Sequence, residues 1–141
     1  GQLLPGEPAA DDLRTRLRQA ADALAAGASV RRYAETVGRG RGVSGYMYHT
    51  LPVAVFAFFR HPDDYRAGVE AVIRCGGDTD TVAAVTGALI GTRVGEAGIP
   101  AGWLNRHWDY PMRVRHLRGL AHARTLQRSG LSCSAMFAPL S

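Results

Sequence analysis

The sequence predicts an all-α fold, a compact multi-helix domain, and two observations carry that reading. Apolar residues recur at helical intervals along nearly the whole chain, and glycine, proline and serine fall where such stretches should start or stop. At 141 residues, with 46% hydrophobic and 21% charged residues and no internal repeat, the chain has the make-up of one soluble globular domain.

Asp11 and Asp12 open the first helical stretch. Leu13, Leu17, Ala20, Ala21 and Leu24 recur on one face, arginines occupy the other, and Gly27 follows the end. Ser29 can cap a short second helix carrying Val30, Tyr33 and Val37. Glycines at 38, 40, 42 and 45 then enforce a loop. The apolar run from Leu51 to Phe59 reads as a buried strand on periodicity alone, but Pro52 at a first-turn position favours a core helix.

His61-Pro62-Asp63-Asp64 is a helix start signal, with proline near the first position and acids that suit the dipole. The helix it opens turns Tyr65, Val69, Val72 and Ile73 to the core and stops at Gly76-Gly77. Next, Val82, Val85, Leu89 and Ile90 define a face, while Ala83, Ala84, Gly87, Ala88 and Gly91 let neighbours approach closely, which predicts a buried central helix. A short helix starts between Pro100 and Trp103, and an arginine-rich amphipathic one runs from Tyr110 to about Arg128. The expected domain is 1–128, with 129–141 a disordered tail.

Composition narrows the setting. All 17 basic residues are arginine, and the net charge is +5, which permits contact with phosphates or nucleic acid without requiring it. Nucleic acid is not the expected partner, because that reading leaves the acidic residues below unexplained. Cys75 and Cys133 suggest neither a zinc site nor a disulfide framework. The longest apolar run is too short to span a bilayer, and the opening residues lack the regions of a signal peptide. A cytoplasmic protein is expected.

The segment Gly76-Gly77-Asp78-Thr79-Asp80-Thr81 is the most informative part of the chain. Asp78, Asp80 and Thr81 bring hard oxygen donors to a helix start, as a divalent cation such as Mg²⁺ requires. An acid at that position also serves as an ordinary helix cap, and a second acid in the first turn suits the dipole. Against capping alone stand the repulsion between two nearby carboxylates and the paired glycines, which clear side chains from the turn. The glycine-rich loop is a second candidate. Its backbone N–H groups and the Ser44 hydroxyl could meet phosphate oxygens, and the Tyr46 ring could support a base or ribose; a flexible connector is the alternative. His49 has no triad around it and reads first as a structural hydrogen-bonding residue.

Gly42-Val43-Ser44-Gly45-Tyr46-Met47-Tyr48-His49-Thr50-Leu51-Pro52, Arg60-His61-Pro62-Asp63-Asp64, Gly76-Gly77-Asp78-Thr79-Asp80-Thr81 and Gly98-Ile99-Pro100 before Trp103-Leu104 occur in one order and register. In this the chain resembles the C-terminal half of a bacterial-type member of the ADP-ribosylglycohydrolase family, from about Ala20 to about Leu120. The resemblance implies the C-terminal half of an orthogonal helical fold and hydrolysis of the glycosidic bond that joins ADP-ribose to its target. It implies a site holding two Mg²⁺ ions between the halves, with Asp78, Asp80 and Thr81 as one share of the ligands and Asp80 bridging both ions. It also makes Gly42, Val43, Ser44, Gly45 and Tyr46 candidate ADP-ribose contacts.

Family members run longer, with an N-terminal half that carries a Gly-Asp-Ala/Gly-type and a Thr-Asp-Asp-Thr-like segment. Neither occurs here, since Asp11-Asp12 and Asp63-Asp64 have no flanking threonines. The chain therefore reads as a fragment, inactive without the missing half, and no general acid or base can be assigned. The expected partners are ADP-ribose or an ADP-ribosylated substrate, together with the missing half or another subunit. The alternative is a non-catalytic ADP-ribose-binding, subunit or structural relative of the family.

Overall fold

The structure is a computed structural model, and it describes residues 8–38, 40, 42–106 and 114–128. Contacts divide the chain into two units, Gly1–Pro100 and Ala101–Ser141. Among the described residues the architecture is all-α. The first unit holds α1 (Pro8–Ala25), α2 (Val30–Gly38), α3 (Met47–Arg60), α4 (Tyr65–Ile73), α5 (Thr79–Val94) and a short 3-10 turn, Glu96–Gly98; the second holds α6 (Ala101–Arg106) and α7 (Val114–Arg128). The tail expected at 129–141 and the start of the last helix expected at Tyr110 lie outside the described residues.

Local chemistry sets most helix ends. Helix α1 closes with the Gly27 N–H donating to Leu24 O and the Ala28 N–H to Ala23 O, the paired bonds that satisfy the last carbonyls of a helix. The Ser29 hydroxyl accepts from the Arg32 N–H at 3.2 Å, capping α2 as expected. Three starts differ from the sequence reading. Helix α1 begins at Pro8, ahead of Asp11, which lies in its first turn. Helix α3 begins at Met47, so Pro52 lies inside it rather than in its first turn, and it costs one backbone bond that the surrounding core makes tolerable. Helix α4 begins at Tyr65, because the Asp64 carboxylate accepts from the Ala67 N–H at 2.9 Å and fixes the start beyond Pro62.

The core of the first unit gathers on α3, which packs against α1, α2, α4 and α5. Val53, Ala54, Phe56 and Ala57 are fully buried on it. The Tyr33 ring stacks on Phe56 with centroids 4.6 Å apart, and its hydroxyl donates to Arg16 O at 2.7 Å, tying α1, α2 and α3 together. Burial pushes the Tyr33 phenol up to about 12. The sequence reading put α5 at the centre, but Ala84 and Ala88 are exposed, and α3 holds that place with its longer unbroken apolar stretch. Ala21 and Ile73, assigned to the core, are exposed too, Ile73 at 48%. Each sits at the edge of a helix face whose centre is buried.

Helices α4 and α5 approach closely through glycines. A Cβ at Gly87 would lie 2.7 Å from the Tyr65 hydroxyl oxygen, and one at Gly68 would meet Ile90 Cδ1. On α5 the buried Thr86 hydroxyl finds no hydrogen-bond partner among the described residues. Thr86→Val keeps the shape and removes the unpaired group, so it is expected to stabilise the chain by about 1 kcal/mol. A urea midpoint that stays put or falls would contradict this. In the second unit α7 exposes Leu117 and Leu120, at 49% and 60%. No described helix is long and apolar enough to cross a membrane.

Candidate functional site

The loop between α2 and α3 meets the turn between α4 and α5 through backbone alone. Val43 and Gly77 form an isolated parallel bridge, in which the Val43 N–H donates to Gly76 O at 3.0 Å and Val43 O accepts from the Asp78 N–H at 2.7 Å. Glycine is required on both sides of this contact. Gly42 and Gly77 have φ of 81° and 86°, a Cβ at Gly42 would lie 2.6 Å from Gly77 N, and one at Gly77 would meet Val43 O. The two segments singled out in the sequence are thereby locked side by side. Val43 is 1% exposed with its side chain in the core, so its part in the site is played by backbone.

A cleft of about 650 Å³ opens beside the bridge, lined by Gly42, Val43, Ser44, His49, Gly77 and Asp78, with Val37 and Gly38 from α2 and Arg16 from α1. That volume lies within the range of sites for drug-sized ligands. Ser44 Oγ and His49 Nδ1 are 2.8 Å apart, and the Thr50 hydroxyl donates to Ser44 O at 3.0 Å. His49 thus makes the expected structural hydrogen bond and also faces the cleft. Tyr46 does not line it. The Tyr46 ring is 56% exposed, 5.1 Å from the Tyr48 ring and edge-on to the His49 ring at 5.5 Å.

Asp78 occupies the N-cap position of α5, yet its side chain makes no capping hydrogen bond. Its carboxylate lies instead against Gly45, where a Cβ would collide with Oδ2, and it shares a hydrogen bond with the Asp80 carboxyl. Two carboxyl groups in hydrogen-bond contact need a proton or a cation between them. That bond is the largest cause holding the Asp80 carboxyl below the usual range, followed by the backbone N–H groups of Thr81 and Asp80 itself. Asp80 and Thr81 are exposed on the first turn of α5.

These three residues offer the hard oxygens that Mg²⁺ takes, and such an ion commonly uses one or two carboxylates and keeps several waters. Among the described residues no group of three or more His, Cys, Asp or Glu could enclose a metal ion. Cys75, just before the turn, stays structural in character: its thiol donates to Ala71 O at 3.2 Å, and burial pushes its pKa up.

Sequence reasoning missed Arg16, which it placed among arginines on the outer face of α1. No local signal marks this residue, because its spacing from Asp12 is that of an ordinary helix-surface ion pair.

The chain belongs to the ADP-ribosylglycohydrolase family, whose model matches residues 2–133. It is similar to the ADP-ribosylarginine hydrolase Tri1 of Serratia proteamaculans (strain 568), with 35% identity over 63 residues. That stretch is 45% of this chain, and it spans only 17% of the relative's length. No solved structure matches the chain.

Proposed function

We propose that this chain carries the C-terminal share of a Mg²⁺-dependent site that hydrolyses the glycosidic bond between ADP-ribose and a target, with an ADP-ribosylated arginine as the first substrate to try. The observation that carries the reading is the Val43–Gly77 bridge, beside which Gly42, Val43 and Ser44 of the loop and Asp78 of the acidic turn line one cleft. Family membership and the name of the relative support the choice of chemistry. A cytoplasmic setting goes with it, as ADP-ribosylated proteins and two cysteines without a disulfide pattern would suit.

In this reading Asp78, Asp80 and Thr81 hold Mg²⁺ from one side, and the remaining ligands come from a segment or subunit outside this chain. The ion, when bound, supplies Lewis-acid stabilisation and an ordered water. The chain's own residues do the positioning. The glycines let the two turns approach each other, and the bridge keeps the carboxylates from shifting as charge develops at the anomeric carbon. Ser44 and His49 present a hydroxyl and a ring nitrogen to the same cleft. The Tyr46 ring, standing next to the loop, offers a stacking face for the adenine.

Calorimetry with ADP-ribose, with and without Mg²⁺, tests the reading. Binding that Mg²⁺ strengthens is the expected result, and no binding under either condition would refute it. Binding without turnover, even with the complementary half supplied, would favour the non-catalytic alternative. Tyr46→Ala is expected to weaken ADP-ribose binding by roughly 1–3 kcal/mol, the usual worth of an aromatic stacked on a base. Unchanged affinity in the same titration would remove Tyr46 from the site.

A further inference from the structure

We infer that Arg16 is the anion-binding residue of the cleft, and that its guanidinium takes a pair of oxygens from the diphosphate of the bound ligand. The inference rests on the ADP-ribose reading for the identity of that ligand. Its own ground is the place of one arginine on α1.

The other arginines paired to acids among the described residues are more solvated. Arg14, Arg31, Arg66, Arg74 and Arg93 are 40–74% exposed, as expected of surface ion pairs. Arg16 is 18% exposed, although its partner Asp12 is 46% exposed. The side chain as a whole is thus held against the protein, and one acceptor does not use up the guanidinium's donors. Nε donates to Asp12 Oδ2 at 2.9 Å, which leaves the four N–H donors of the two terminal nitrogens without a protein acceptor among the described residues. They belong to a side chain that lines the same cleft as Gly42, Ser44 and Asp78.

Arg16 is also held in place. Its backbone oxygen accepts the Tyr33 hydroxyl at 2.7 Å, and the Tyr33 ring is stacked on Phe56 in the core. The Asp12 bond orients the guanidinium plane. A planar fork fixed in this way suits two oxygens of a phosphate or diphosphate better than a single charge does.

The charge pattern points the same way. Asp78 presents negative charge at the acidic turn, and among the described lining residues Arg16 supplies the fixed positive charge. A ligand with a ribose and a diphosphate matches that polarity, with its hydroxyls toward the carboxylates and its phosphates toward α1. The Mg²⁺ proposed at Asp78 and Asp80 is separate from this contact, so the two can be told apart by removing the metal.

The test is calorimetry in EDTA on the full chain and on the variants Arg16→Gln and Arg16→Lys, with ADP-ribose and inorganic pyrophosphate as probes. Circular dichroism melts verify that each variant is folded. Arg16→Gln is expected to weaken both probes about 10-fold to 100-fold, the worth of a charge-assisted pair of hydrogen bonds, with Arg16→Lys in between because it keeps the charge and loses the fork. Equal binding of both probes by the native chain and a folded Arg16→Gln variant would overturn the assignment. Pyrophosphate binding that depends on Arg16, with no binding of ADP-ribose, would uphold the anion subsite and overturn the ADP-ribose reading. A native chain that binds neither probe overturns both.

Discussion

Replacing Gly77 by alanine is expected to destabilise the chain by about 2–5 kcal/mol, the sum of a side chain forced into positive φ and an atom pressed into packed backbone. The Cβ would meet Val43 O, the acceptor for the Asp78 N–H, so the substitution attacks the bridge that unites the two halves of the site. Gly76→Ala is the control. Gly76 has φ of 72°, but its Cβ would meet nothing within 4 Å, so only the backbone term, about 1–2 kcal/mol, should appear. Urea unfolding of the two variants separates strain from collision. Equal losses would mean that the Val43 contact is not tight in solution.

If the proposed function holds, Asp80→Ala is expected to lower Mg²⁺-dependent release of ADP-ribose by the chain with its complementary half supplied at least about 100-fold, since even outer-shell partners of a metal can cost that much. The Asp80 carboxyl is held below the usual range, chiefly by its bond to Asp78. Mg²⁺ binding should be weakened at every pH in the variant. Turnover unchanged at saturating Mg²⁺ would end the ligand role of Asp80. A loss of Mg²⁺ affinity without loss of fold, seen by calorimetry and circular dichroism, is the pattern expected.

Much of the fold was legible because its causes are local. The stop at Gly27 and the Ser29 cap each follow from residues within a turn or two of the feature. The misplacements have equally plain causes. Proline at 62 suggested a helix start, but the better capping residue, Asp64, won; proline at 52 suggested another, but a buried apolar helix outweighed one missing bond. Residue types at the site were legible too, since the paired carboxylates and the glycines announce themselves. The arrangement was not. Asp78 stands where a cap should stand and does not cap, because its carboxylate meets Gly45 and Asp80, and Gly45 belongs to a loop far away in sequence.

By itself the sequence determined that the chain is helical, where its helices begin and end to within a few residues, which residues carry oxygen donors, and which family they resemble. Only the tertiary structure decided that α3 rather than α5 is the centre, that the glycine loop is bridged to the acidic turn, and that Arg16 faces a cleft. The physical reason is range. Periodicity, caps and breakers act over one or two helical turns and are written in neighbouring residues, whereas a cleft is made by segments whose approach depends on how every helix between them packs.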